Sequence, residues 1–467
     1  MVTMSAARLA ELTGGTIVRG DGDVVFSGAE IDSRAITPGM AFFALPGEKS
    51  DGHSWLGAAA RAGARVAVVC RFDDEVAAGL PATPLAVVLV EDCTEALREL
   101  ARQHRSNLRC PVVGITGSTG KTSTKDFLVA ALGSRRRVAA TRGNRNNELG
   151  VPLTVLEAGP RTGVLIVEMG MRGVGQIAEL CEIVRPTMGV VTNIGQTHME
   201  LLGSQDAIAH AKGELVECIP AEGRVFLNGD DRWSRALKKK ARAPITWYGL
   251  GQRCNVRATD ITTDDLGRPT LTLRASRRQA TVSLPVPGRH HAYTAVAAAS
   301  VALALGANLD EIAEGLAKVV PTGMRMEAFT SASGVIVVND AYNASPTSMR
   351  AAVQALADMH TAGLRVAVLG DMAELGSLTE LAHFRLGEAV AESGVERLVT
   401  VGPRARRIAD AAVAKGMDPA AVRPCATSDE ASEVLDDLLA PGDIVLVKAS
   451  RSMGLERIVE GILEPHA

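Results

Sequence analysis

PVVGITGSTGKTSTKDFLVAAL, residues 111–132, is the stretch from which the rest of the chain is read. Val112, Val113 and Ile115 make a buried strand. GSTGKTS (117–123) makes a glycine-rich turn, and Leu128, Ala131 and Leu132 lie on one side of a helix. Strand, glycine turn and helix are the parts of a phosphate-binding loop. Glycines let backbone N–H groups face an anion without interference from Cβ. The helix N-terminus adds positive dipole at the same point. Lys121 supplies a cation for the outer phosphates, and the Thr122 hydroxyl suits Mg²⁺. The pattern G-x-x-x-x-G-K-[ST] is not fully met, because Gly114 and Gly117 only flank the position it requires. A plain glycine turn is therefore the alternative. The strand before it and the helix after it favour nucleotide binding by Gly117, Ser118, Thr119, Gly120, Lys121, Thr122 and Ser123.

Composition narrows the class. A chain of 467 residues exceeds one ordinary core, and about three domains are expected. With 46% hydrophobic and 22% charged residues it is globular. Fifty basic against 53 acidic residues and 3% aromatics speak against a nucleic-acid or anionic-membrane surface. Seven scattered cysteines without a C-x-x-C pair indicate free thiols in a reducing compartment, not a disulfide frame or zinc site. MVTMSAARLAELTGG has no apolar core before a cleavage site, so no secretion signal is expected. A cytoplasmic monomer with neither a nucleic-acid nor a membrane partner is the expectation.

Outward from the loop, residues 108–320 alternate strands with helices: 138–141, 164–170, the helix 174–184, the strand 188–198 and the helix 204–219. Such alternation implies an α/β fold with a central parallel sheet covered on both faces. Ligands bind outside the carboxyl ends of such strands. The phosphate loop, Glu168 and His198 all follow strand ends, so topology draws them to one rim. Mg²⁺ prefers oxygen ligands, which makes a histidine ligand unusual. Lys212 borders the apolar stripe of its helix, and spacing alone makes it a solvated lysine. Residues 321–467 repeat strand, loop and helix, which predicts a second, Rossmann-like parallel sheet with Asp340, Asn343, Asp371, Lys448 and Arg451 on its loops. Residues 1–107 read as a small α/β unit in which Ser33, Arg34, Lys49, Asp51 and His53 surround two Pro-Gly turns. From composition alone these residues are a solvated loop pair. Hinges are expected near 107 and 320.

GITGSTGKTSTKD, VEMGMRGVGQI, TNIGQTHMELLGS and AKGEL together resemble the ATP-binding domain of the Mur ligases. DSRAITPGMAFFALPGEKSDGH, GNRNNELGVPLT, NDAYNASPTSM, LGDMAELG and KASRSMGLE resemble the branch of that family that adds a dipeptide. The resemblance implies three domains. The first (1–107) would take the uridine nucleotide substrate, the second (108–320) ATP and Mg²⁺, and the third (321–467) the dipeptide and part of the ATP. The implied partners are UDP-N-acetylmuramoyl-tripeptide and D-alanyl-D-alanine, joined through an acyl phosphate. It further implies Ser33, Arg34, Asp51 and His53 as substrate contacts, joined by Asn144, Asn146, Asn147, Asn343, Lys448 and Arg451. Thr122, Glu168, His198 and a carbamylated Lys212 would hold two Mg²⁺ ions. Arg325 and Asp340 would contact phosphate and ribose. Lys121, His198, Lys212 and Arg325 would serve catalysis. Where the family carries G-R-H-N-x-x-N near adenine, this chain has GRHHAYT, so His291 and Thr294 replace two amides. A diamino-acid-adding or folylpolyglutamate-type ligase shares much of this pattern. A P-loop kinase or nucleotide switch shares the phosphate loop.

Overall fold

The computed structural model describes residues 1–47, 50–81 and 84–464. It contains a five-stranded sheet, a nine-stranded sheet and a six-stranded sheet in chain order, with a small two-stranded ribbon at the start. In the nine-stranded sheet Val112–Thr116 lies between Met188–Val191 and Val164–Glu168, parallel to both. The chain therefore leaves that strand with neighbours laid down on either side, which is the switch point where open α/β sheets bind ligands. Register makes the rim level: Glu168 pairs with Ile115, and Val191 with Thr116. Strands 112–116 and 164–168 are buried along their whole length, as expected where helices cover both faces.

The central sheet is not wholly parallel. Val256–Thr263, Pro269–Ala275 and Arg278–Ser283 form an antiparallel meander on its edge. Their alternation of buried and half-exposed residues is the mark of a sheet with one covered face. The C-terminal sheet has six strands where the sequence pattern suggests four. Glu327–Thr330 pairs antiparallel with Ile336–Asn339 at one edge. Val422–Cys425 is added at the other. Pro424 in that last strand is tolerated because an edge strand leaves backbone donors unpaired.

The first and central units share one apolar core. Helix Cys93–Ser106 is capped by Asp92 and buries Ala96, Leu97, Leu100 and Ala101, as its spacing predicts. That face meets helices Gly150–Glu157 and Gln176–Val184 of the central unit. Arg105 Nε donates to Val184 O at 2.6 Å and Nη2 to Arg185 O at 2.9 Å. His104 Nε2 lies 2.8 Å from Ala158 O. Helix and junction are thus fastened together, and a hinge near 107 does not fit. Among the described residues no helix is long and apolar enough to cross a membrane.

Candidate active site

The glycine turn is shaped by its neighbour strand. Gly117 has φ 148°, and a Cβ there would collide with Thr192 Oγ1. That hydroxyl donates to Thr119 O at 2.6 Å. Asn193 Oδ1 accepts Thr119 N–H at 3.1 Å, and Asn193 O accepts Ser118 N–H at 2.9 Å. Thr192 and Asn193 are therefore the scaffold of the loop. Sequence reasoning passed over them, although their position just after an apolar strand beside 112–116 was the available signal. Lys121 Nζ donates to Gly117 O at 2.8 Å and so closes the loop on itself. Desolvation lowers the Lys121 pKa, Glu168 opposes that shift, and Arg325 adds to it.

Glu168 stands beside the loop, 2% exposed. Its Oε2 accepts from Thr122 Oγ1 at 2.7 Å and its Oε1 from Asn146 Nδ2 at 2.8 Å. Its own N–H donates to Thr141 Oγ1 at 2.9 Å. Lys212 is also 2% exposed, and among the described residues its amine has no hydrogen-bond or ion-pair partner. Burial, and then Lys121, hold its pKa well below the ordinary lysine range. The solvated lysine expected from spacing is in fact interior. His198 has φ 56° and its Nδ1 lies 2.6 Å from Glu374 Oε2, poorly aligned for a hydrogen bond. Glu374 comes from the C-terminal domain, itself at φ 60°, and its carbonyl accepts Glu200 N–H at 3.3 Å. No local pattern in LGDMAELG announces that contact.

Helix His291–Ala304 begins at the same cleft. The His291 ring stacks on Phe127 with centroids 5.4 Å apart. Both its ring nitrogens are buried without a partner among the described residues. Burial pushes its pKa well down, with His290 adding to the shift. Thr294 lies one turn further along the same wall.

The C-terminal domain closes the other side. The Arg325 guanidinium sits 4.1 Å above the Tyr342 ring centroid, and among the described residues its Nε has no partner. Lys448 Nζ donates to Asp340 Oδ2 at 2.6 Å and to Asn343 O at 2.8 Å, with its side chain 3% exposed. It therefore holds the 340–343 loop from within, its amine engaged by that loop while the residue lines the cleft. Asn343 Oδ1 accepts Ala344 N–H, and Asn147 Oδ1 accepts Gly150 N–H. Arg451 pairs with Glu456 at 2.9 Å. Asp340, Asn343, Lys448, Arg451 and Asn147, the phosphate loop from Ser118 to Ser123, Asn144, Asn146, Glu168, His198, Lys212, His291, Thr294 and Arg325 line one cleft of about 1230 Å³.

Ser33, Arg34, Asp51 and His53 lie outside that lining. Arg34 is exposed and paired with Asp32. His53 is a satisfied interior histidine: its Nδ1 lies 2.6 Å from Asp51 Oδ1 and its Nε2 accepts Cys70 N–H at 3.1 Å. With its side chain 1% exposed, it orients Asp51. Lys49 falls outside the described residues.

Among the described residues no three His, Cys, Asp or Glu side chains gather as a ready-made metal cage. The oxygen donors beside the phosphate loop are the Glu168 carboxylate and the Thr122 hydroxyl, with the His198 imidazole and the Glu374 carboxylate paired across the same cleft. That set suits Mg²⁺, which is held by one or two carboxylates together with substrate phosphates and water.

Comparison with known proteins gives one consistent result. Residues 25–105 match the Mur ligase family catalytic domain, 115–302 the Mur ligase middle domain, and 324–451 the Mur ligase glutamate ligase domain. The UDP-N-acetylmuramoyl-tripeptide–D-alanyl-D-alanine ligase of Mycobacterium bovis is 39% identical over 99% of this chain and 98% of its own length. The enzyme of the same name from Bacillus subtilis is 35% identical over 99% of both. A crystal structure of MurF from Acinetobacter baumannii superposes with a TM-score of 0.86 at 30% identity, covering 100% of both chains. MurF ligase from Thermotoga maritima, solved in complex with ADP, gives 0.78 at 28% identity over 93% of this chain and 97% of that one.

Proposed function

This chain belongs to the Mur ligase family, and from that premise we infer that it joins D-alanyl-D-alanine to UDP-N-acetylmuramoyl-tripeptide in an ATP-dependent reaction. The product is the UDP-linked pentapeptide precursor of peptidoglycan. The observation that carries this reading is convergence: Lys121, Glu168, His198 and Lys212 of the central domain share one cleft with Arg325 and Asp340 of the C-terminal domain. Free nucleotide and UDP-linked substrates point to a cytoplasmic enzyme, and a monomer suffices because one chain supplies the whole cleft.

A carboxylate cannot be displaced by an amine until one oxygen becomes a leaving group. The tripeptide's terminal carboxylate oxygen attacks the γ-phosphorus of ATP. The new P–O bond forms as the bond to the β-phosphate oxygen breaks, giving an acyl phosphate and ADP. The amine of D-alanyl-D-alanine then attacks the acyl carbon, loses its proton to solvent or a base, and phosphate leaves. Such transfer needs positioning and charge neutralisation more than covalent help. The amides of 118–122 and Lys121 cradle the phosphates. Arg325 meets the charge shed from the γ-phosphate. Asp340, steadied by Lys448, would meet the ribose, and His291 with Thr294 the base. Asn146 and Glu168 border the acyl side, with Asn144 and Asn343 on the same cleft wall.

Thr122, Glu168 and His198 would hold Mg²⁺, and Lys212 would join them as a carbamate. An interior amine without an acceptor is poised to add to CO₂: the nitrogen bonds the carbon, one proton leaves, and an anionic oxygen ligand results. Held there, Mg²⁺ would supply positive charge to the phosphate oxygens. Ser33, Arg34 and Asp51, with Asp51 oriented by His53, would serve the uridine nucleotide on the first domain. The test is phosphate release from ATP measured with both substrates, with each alone, and with a diamino acid or glutamate in place of the dipeptide. Turnover that requires both named substrates is expected. Equal turnover without D-alanyl-D-alanine would overturn the assignment.

A further inference from the structure

The segment joining the central and C-terminal sheets is gripped by the phosphate-loop helix. Asp126, on helix Lys121–Leu132, accepts Thr322 N–H at 2.8 Å through Oδ2 and the Thr322 hydroxyl at 3.1 Å through Oδ1. Lys125 Nζ lies 2.8 Å from Asp126 Oδ1 and also donates to Thr141 O at 3.1 Å and Thr322 Oγ1 at 3.3 Å. The Lys125 and Asp126 side chains are 7% and 10% exposed. A buried ion pair is a poor device for stability alone, since desolvation offsets most of its attraction. Its position suggests another use.

Three residues after Thr322 comes Arg325. The residues on either side of it, Met324 and Met326, have φ 60° and 54°. Left-handed backbone is strained for residues with a side chain and persists only where the surroundings impose it. On the far side Met326 is buried in the C-terminal core, and Met324 N–H donates to Glu327 Oε2 at 2.7 Å. Arg325 therefore hangs between a grip belonging to the central domain and an anchor belonging to the C-terminal one. Met324 and Met326 are the places where the backbone could absorb rotation.

We propose that Asp126, with Lys125, is a positioning residue for the ligase reaction: its clasp on Thr322 sets where the Arg325 guanidinium stands relative to Lys121. The clasp and the phosphate loop share one rigid helix, so the two cations approach the transferring phosphoryl group in fixed register. This inference rests on the role of Arg325 given above.

The experiment measures kcat and KM with ATP, UDP-N-acetylmuramoyl-tripeptide and D-alanyl-D-alanine for D126N, T322V, T322S, R325A and D126N/R325A. A misplaced catalytic group costs up to about 10²-fold, so D126N and T322V should lower kcat by about 10–10²-fold with KM for ATP little changed. T322S should restore most of the loss. In the R325A background D126N should add nothing further, because the group it positions is gone. A merely structural role predicts losses that multiply, and that result, or wild-type kcat in both D126N and T322V, overturns the proposal. T322V removes only one hydroxyl and keeps the test valid if D126N folds poorly. Wild-type turnover in R325A would instead refute the role of Arg325, and the clasp proposal with it.

Discussion

Thr122 Oγ1 donates a 2.7 Å hydrogen bond to Glu168 Oε2, tying the first turn of the phosphate-loop helix to the end of the neighbouring strand. Forty-six residues separate them, and parallel register brings them side by side. Glu168→Gln keeps an acceptor for the Thr122 hydroxyl but removes the charge. It should lower phosphate release about 10²–10³-fold, on the scale of losing one preorganised electrostatic group, while the urea midpoint stays near that of the wild type. Unimpaired turnover would remove Glu168 from the site.

Lys121→Ala should cost a similar factor of about 10²–10³ in turnover at saturating ATP. Its amine already closes the loop through Gly117 O and needs only to swing from that carbonyl to a phosphate oxygen. Retention of wild-type turnover would disprove the proposed phosphoryl transfer.

Lys448→Met separates a structural from a ligand-binding lysine. The substitution leaves Asp340 without its partner at 2.6 Å in a nearly closed site. Breaking a buried pair from one side costs about 3–5 kcal/mol. A large fall in the urea midpoint is expected before any substrate is added. A variant as stable as the wild type, with only KM raised, would return Lys448 to the list of direct contacts.

His291→Leu should stabilise the unliganded protein while weakening ATP. Two buried ring nitrogens without partners among the described residues carry a desolvation penalty of about 1–3 kcal/mol, which an apolar side chain packed on Phe127 would escape. The expected pair of results is a higher Tm and a higher KM for ATP. A lower Tm with unchanged KM would make His291 an ordinary core residue.

Interior histidines should make stability fall in mild acid. Burial lowers the His383 pKa and brings that of His290 down to about 4. His383 Nε2 accepts Met372 N–H at 3.0 Å while Nδ1 donates to Thr379 O at 2.7 Å, so a second proton breaks a bond. Asp371 and Glu380 favour the charged ring, and Arg404 opposes it. The unfolded chain takes up these protons near pH 6.5, about the free imidazole value, and the folded chain only at lower pH. Stability is therefore complete above about pH 6.5 and declines as pH falls towards 4. Urea midpoints measured between about pH 7 and 5 should show this slope, and His383→Gln should flatten it. A flat profile in the wild type would contradict it.

Much of this architecture is visible in the chain itself. The apolar runs ending at Thr116, Glu168 and Val191, and the glycine turn between strand and helix, are local patterns. They place the phosphate loop and Glu168 on one rim without coordinates. The antiparallel meander after 256 was not legible as such, because alternation within a strand does not state the direction of its neighbour. Pro424 hid an edge strand for a similar reason. Spacing alone leaves Lys212 solvated, because a lysine at the border of an apolar stripe normally is. Here it is 2% exposed.

By itself the sequence determined the strand–loop–helix order and the phosphate loop, since each depends on residues within a few positions of one another. Only the tertiary structure decided that His53 and Lys448 face inward, that Glu374 reaches His198, and that Asp126 holds Thr322 across 196 residues. Those partners are chosen by how whole sheets dock. Docking sums many weak apolar contacts spread over the chain, and no local pattern records that sum.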